Sequence, residues 1–234
     1  MTVTVLEPNP YANLTTLDRV KMALGIGSSD ASKDDFLEYL IESQSAVIYN
    51  YIGRSLAYEK VRERLPSHGT VRLMVSRVPV VNVEAVSYRG STVPSTAYYV
   101  EDNDAGFLFR RDGWTQTRIY GHSLTPYYTG EDEKQWEVTY TAGYNMPGST
   151  NGSTAAQALP ADLEKVCIDL VATEYSKSPA GNDDDYSPLV TRRRTGDAEI
   201  YYATPQQSGI SNTSKGLPME IANRLDPYVR GDSP

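Results

Sequence analysis

The spacing of apolar residues changes period twice along this chain, from helical to alternating and back again. That pattern restricts the fold to a mixture of helices and strands with the strands enclosed between helical segments. Leu17, Val20 and Leu24 recur at helical spacing after Thr15 or Thr16, either of which can cap, and Gly25 ends the run. A longer stripe follows in Phe36, Leu37, Leu40, Ile41, Val47, Ile48, Tyr51 and Ile52, stopped by Gly53. Ser32 and Asp35 in front of it resemble a capping box, which predicts a helix of roughly 20 residues or ~30 Å.

From about Thr70 the period becomes two. Val71, Leu73 and Val75 alternate with Arg72, Met74 and Ser76, and Val81, Val83 and Ala85 repeat the spacing. Further strand candidates are Tyr98 to Val100, Phe107 to Arg110, and the alternating Trp136, Val138 and Tyr140. The stretch GHSLTPYYTGEDEKQ between the last two reads as a long exposed loop. Leu159-Pro160-Ala161-Asp162 then opens a third helix whose stripe is Leu163, Val166, Cys167, Leu170, Val171 and Tyr175, closed by Ser178-Pro179. Beyond Pro179 the composition is polar: Asp183 to Asp185 oppose Arg192 to Arg194, a strand candidate spans Glu199 to Tyr202, and LPMEIANRLDPY predicts a short terminal helix limited by Pro227.

Composition narrows the chemistry. A chain of 234 residues suits one large domain, or a domain with an insertion. With a net charge of -8 and a pI near 4.9, it is poorly suited to gripping DNA through phosphates. His68 and His122 are its only imidazoles, with no HExxH pattern, no cysteine pair and no phosphate-cradling glycine loop, so no metal, cofactor or catalytic constellation is expected. The aspartates at 183 to 185 lack the ligand spacing of a calcium loop, and the arginine triplet in an acidic chain reads as a subunit-contact cluster. Cys167 within a helical stripe reads as a small buried hydrophobe. Tyrosines number 18 against 3 phenylalanines, which favours wet subunit interfaces. The opening MTVTVLEPNPY has neither the basic nor the apolar region of a signal peptide, and no stretch approaches a membrane span.

The order of blocks carries a resemblance. LTTLDRVKMALGI, SKDDFLEYLIESQSAVIYNYIGRSL, RVPVVNVEAVSYRG, WEVTYTAGY and LPADLEKVCIDLVATEY follow one another as in the head-tail connector (adaptor) proteins of tailed bacteriophages, and TRRRTGDAEIYYA is similar to that family's late glycine-aspartate-tyrosine segment. The blocks cover most of residues 14 to 202. Relative to shorter members, the region from about Tyr88 to Glu137 looks like an enlarged insertion, and the chain after Ala203 like an extension. The resemblance implies a helical core and a closed ring of about twelve copies. It also implies attachment to a portal protein, a docking surface for a tail or stopper protein, and a lumen through which genomic double-stranded DNA passes without specific binding.

The expected fold is therefore α+β: a small helical bundle core with an inserted antiparallel β region and an extended C-terminal arm. The expected divisions are an N-terminal extension (1–13), a helical core (14–69 and 158–178), a β-rich insertion (70–157), and the arm with its short terminal helix (179–234). Arg192, Arg193, Arg194, Glu199, Ile200, Tyr201 and Tyr202 are the candidate contacts to the portal or a neighbouring subunit, the strand adding to a neighbour's sheet edge. The expected place of work is the neck of a virion, after synthesis in the host cytoplasm. A rival reading takes Trp114, Trp136 and the tyrosines as a glycan- or receptor-binding tail module. A small virion hydrolase is a further rival, for which no nucleophile and base pair is found.

Overall fold

The structure, a computed structural model, describes residues 2–115, 135–150, 152–178, 192–195, 198–201, 213–214 and 217–229. The expected loop at 121 to 134, His122, Asp183 to Asp185 and Tyr202 lie outside these residues. The fold is α+β, as the alternation of periods requires. The chain divides into two compact units, one built from residues 1–12 and 54–159 and the other from residues 13–53 and 160–234.

The first unit is made of strands β1 (Thr2–Glu7), β2 (Glu59–Leu65), β3 (Arg72–Met74), β4 (Val80–Tyr88), β5 (Ser91–Thr92), β6 (Tyr99–Asp102), β7 (Phe107–Phe109) and β8 (Trp136–Ala142). They form a five-stranded sheet in the order β1-β2-β8-β4-β5 and a three-stranded sheet in the order β3-β7-β6, with antiparallel pairing throughout. The two sheets share one core, to which Val61, Leu65, Leu73, Val86, Leu108, Trp114, Trp136, Val138 and Tyr140 all contribute. The alternation of Trp136, Val138 and Tyr140 is met in full, each being buried on β8.

Three strands of this unit were not expected: β1, β2 and the two-residue β5. β2, with the sequence EKVRERL, hides its pattern because a glutamate stands at a core position: Val61, Glu63 and Leu65 are all buried. Residues up to 69 were assigned to the helical core, yet those of β2 belong to the sheet. β1 pairs with β2 from Thr2↔Arg64 to Glu7↔Lys60, so the N-terminal segment is an edge strand rather than a plain extension. On β4 the expected phase is also corrected. Val80 and Val86 are the buried positions and Ala85 is exposed, because irregularities at Val80/Asn82 and Val83/Ala85 shift the alternation.

Glu63 is anchored in the core through one of its two carboxylate oxygens, while its Oε1 is buried without a hydrogen-bond partner among the described residues. Its Oε2 accepts from the Tyr140 hydroxyl at 2.7 Å and from the Ser76 backbone N–H at 2.9 Å, while Arg77 N–H donates to the Tyr140 oxygen at 3.1 Å. Burial, and then the negative charge of Glu63, push the Tyr140 phenol up, so it remains a proton donor. The glycine of the TAGY block has an equally local reason. Gly143 adopts φ +107°, and a Cβ there would lie 2.2 Å from the Ala57 carbonyl oxygen, where the chain segments at Leu56 to Tyr58 and Tyr144 exchange backbone hydrogen bonds.

The second unit holds the helices α1 (Leu17–Leu24), α2 (Asp34–Ile52), α3 (Ala161–Lys177) and α4 (Met219–Leu225), with a hairpin of β9 (Arg192–Thr195) and β10 (Ala198–Tyr201). Gly25 and Gly53 close α1 and α2 in the left-handed conformation, as expected. The whole expected stripe of α3 is buried, from Leu163 to Tyr175. The capping box is not formed: α2 starts at Asp34, and the Ser32 hydroxyl donates to Asp30 at 2.6 Å instead. Thr15 does not cap α1 either, since its hydroxyl is committed to Glu164 on α3.

Candidate assembly site

Several polar contacts of the helical unit join one helix to another. Glu164, nearly buried, accepts from Thr15 Oγ1 at 3.2 Å and pairs with Arg19 of α1. The buried Lys21 at the end of α1 pairs with Asp34 at the start of α2. Ser45 of α2 accepts from the Leu14 N–H at 3.1 Å and lies 3.6 Å from the sulfur of Cys167. Cys167 is fully buried, and burial pushes its thiol up to about 11, which makes it the small core residue expected rather than a nucleophile.

The terminal helix is tied into the same unit, whereas the sequence predicts an extended arm ending in a short helix. Leu217, Ala222 and Leu225 are buried, and α4 packs against α2 and α3. Arg224 donates to Asp169 at 3.1 Å, the Tyr228 hydroxyl reaches the Asp162 carboxylate at 2.7 Å, and the Tyr51 hydroxyl donates to Asp226 at 2.6 Å. Partial burial pulls the Asp169 carboxyl upward. Hydrogen bonds from Lys165 and Arg224, with their charges, outweigh that and hold it below the ordinary carboxylate range.

Because the folded value is depressed, this stabilisation is present above the unfolded pKa of about 3.9 and is lost as pH falls through the lowered folded value. Arg224→Ala should therefore cost up to about 1 kcal/mol at neutral pH, as a half-exposed pair does. In denaturant melts the gap between variant and parent should shrink below about pH 4. A gap that is the same at pH 7 and pH 3 would assign the loss to packing alone.

The candidate contact residues Arg192 to Arg194 and Glu199 to Tyr201 are brought together as the hairpin, which the charge runs did not announce. The arginine triplet is itself a strand: Arg192 pairs with Tyr201, Arg193 with Ile200 and Arg194 with Glu199. The glycan-binding reading loses its tryptophans. Trp114 and Trp136 are 0% and 1% exposed and meet edge-on at 4.9 Å between centroids, inside the core shared by the two sheets. The exposed large aromatics are tyrosines, among them Tyr11, Tyr39 and Tyr99.

Charge is divided unequally between the units. The β unit holds eleven basic and twelve acidic residues, whereas the helical unit holds eleven basic and eighteen acidic, so nearly all the net negative charge belongs to the helical unit. An open groove of about 280 Å³ between α1 and α3 has Ala23, Ala161 and Ile168 on its walls and Met22 at its rim. That volume is near the lower limit of small-molecule sites, ~300 Å³, and suits a single inserted side chain better than a substrate. Among the described residues no helix is long and apolar enough to cross a membrane.

A family model described as head completion protein matches residues 13–182, which include α1 to α3 and β2 to β8. The chain belongs to the head completion protein family. The connector resemblance carried by the ordered sequence blocks is borne out at this level, and β1, the β9–β10 hairpin and α4 lie outside the matched residues. Among solved structures this head completion protein is similar to a chain of the neck of an empty gene transfer agent particle, computed with C6 symmetry. The identity is 20%, covering 75% of this chain and 84% of that chain, with a TM-score of 0.48. It is also similar to a chain of the native gene transfer agent virion, at 18% identity over 96% of this chain and 95% of that chain, TM-score 0.49. A third similarity is to a chain of the neck of the native particle computed with C12 symmetry, at 17% identity over 96% and 94%, TM-score 0.47. No curated protein matches the chain.

Proposed function

We propose that this head completion protein is a non-catalytic structural subunit of the neck, forming a closed ring of about twelve copies beneath the portal. The ring extends the DNA channel and offers the tail, or a stopper protein, its docking surface. The observation that carries this reading is the family match across residues 13–182, which takes in elements of both the helical and the β unit. The buried polar groups are consistent with it, because Glu63, Tyr140, Glu164 and Lys21 are spent on holding strands and helices together. The contact residues Arg192 to Arg194 and Glu199 to Tyr202 serve the portal or a neighbouring copy.

The excess acid of the helical unit suits a lumen that repels phosphates and keeps the genome mobile. Particles made without this chain should package DNA but carry no tail, and adding the purified protein should restore tail joining. Tailed, infectious particles formed in its absence would overturn the reading. Binding of the purified protein to duplex DNA should be weak at physiological salt; tight binding with a steep salt dependence would count against a passive channel.

A further inference from the structure

Two of the parts that lie outside the family match are strands with complementary needs. β1 ends the five-stranded sheet, and the β9–β10 hairpin forms a two-stranded sheet of its own. We propose that β10 of one copy adds to the outer edge of β1 in the next copy, joining the two sheets across the subunit boundary. This rests on the ring reading above and names the contact that closes it.

The β1 edge is regular and uncharged until the irregularity at Val5/Glu7 near its end. Residues 2 to 6 read TVTVL, uncharged and β-branched at the first four positions, with no lysine or proline. At the opposite edge β5 has only two residues, and β4, whose pairing with β8 is interrupted by two irregularities, carries Glu84. The core also stops short at β1. Val3 is partly buried against it, whereas Val5 and Leu6 are 40% and 37% exposed, so one more strand would cover them.

Strand alternation selects β10 as that strand and also its orientation. Ala198 and Ile200 share one face of β10, Glu199 and Tyr201 the other. With Ala198 and Ile200 on the Val3–Val5 side, Glu199 falls on the side of Thr4, which is paired with Arg62. There Arg62 and Arg64, 48% and 54% exposed, share the single carboxylate of Glu137, leaving positive charge for an added acid to meet. Two strand spacings, ~10 Å, separate β10 from β2, a gap that an arginine and a glutamate bridge together. Turning the strand over would set Glu199 against the apolar side. Two different patches on one chain, edge and hairpin, make a head-to-tail contact of the kind that closes a ring.

Cross-linking in assembled particles tests this. A chain carrying both Thr4→Cys and Glu199→Cys should give, on mild oxidation, a ladder of linked copies on a gel run without reductant. Val5→Cys with Ile200→Cys should do the same through the other face. Cys167 is buried and should stay out of the reaction. Particles assembled from a mixture of the Thr4→Cys and Glu199→Cys single variants should give linked dimers and nothing larger, a second readout if the double variants assemble poorly. Copies that assemble at the neck but keep their thiols free in both pairs, or link only within one chain, would overturn the contact while leaving the ring intact. Copies that form no ring at the neck would overturn the ring reading, and this contact with it.

Discussion

Leu40→Asp or Leu170→Asp should abolish recovery of soluble, folded protein. Both leucines are 7% exposed, on α2 and α3, the pair of helices in closest association within the helical unit. An ionised carboxylate at either position would lose its water and find apolar neighbours, at a cost of several kcal/mol against a total stability of ~5–15 kcal/mol. Leu40→Met, which keeps volume and polarity, should cost less than about 1.5 kcal/mol and fold normally. The comparison of the two variants isolates charge from shape. A soluble Leu40→Asp chain with the parent's circular dichroism and melting temperature would show that this face of α2 is not the core face.

Trp114→Ala should destabilise the β unit by ~3–5 kcal/mol, the usual cost of deleting a fully buried large aromatic. Trp114 packs against both sheets' residues, stacks edge-on against Trp136, and donates its indole N–H toward the carbonyls of Val71 and Leu108 at 3.1 and 3.2 Å. Truncation would therefore leave a cavity and remove both indole hydrogen bonds together. The effect can be read cleanly because the chain's only two tryptophans lie in this one core. Their emission should be blue-shifted in the native protein, and its red shift should mark unfolding of the β unit. In Trp114→Ala the remaining Trp136 signal should move to lower denaturant while helical circular dichroism persists further. Coincident transitions at the parent's midpoint would contradict the assignment of Trp114 to the core.

How far the sequence was legible depended on whether each element met its requirements locally. The α3 stripe, the glycine stops of α1 and α2, and the alternation on β8 came through because period and terminus agree within one short segment. β2 did not, because Glu63 occupies a core position whose solvation comes from Tyr140 and Ser76, 77 and 13 residues away in the chain. The same applies to Thr15, a sound cap by local rules, whose hydroxyl is drawn to Glu164, 149 residues distant. The hairpin was half read: a strand was expected at Glu199 to Tyr202 and stands at Ala198–Tyr201, but an arginine triplet has no apolar alternation to reveal it as the pairing partner.

Local periodicity, composition and block order thus determined the α+β class, the helical ends around a β middle, and membership of a connector-like family, since all of these are written in spacing along the chain. Tertiary structure decided the rest: that β1 and β2 join the central sheet, that irregularities on β4 shift its buried phase, that both tryptophans are core, and that α4 returns to its own unit. In each case the deciding term is a partner far away in sequence. Burial of an apolar ring and the hydrogen bonds that anchor a buried carboxylate are properties of neighbourhoods in space, which spacing along one strand does not encode.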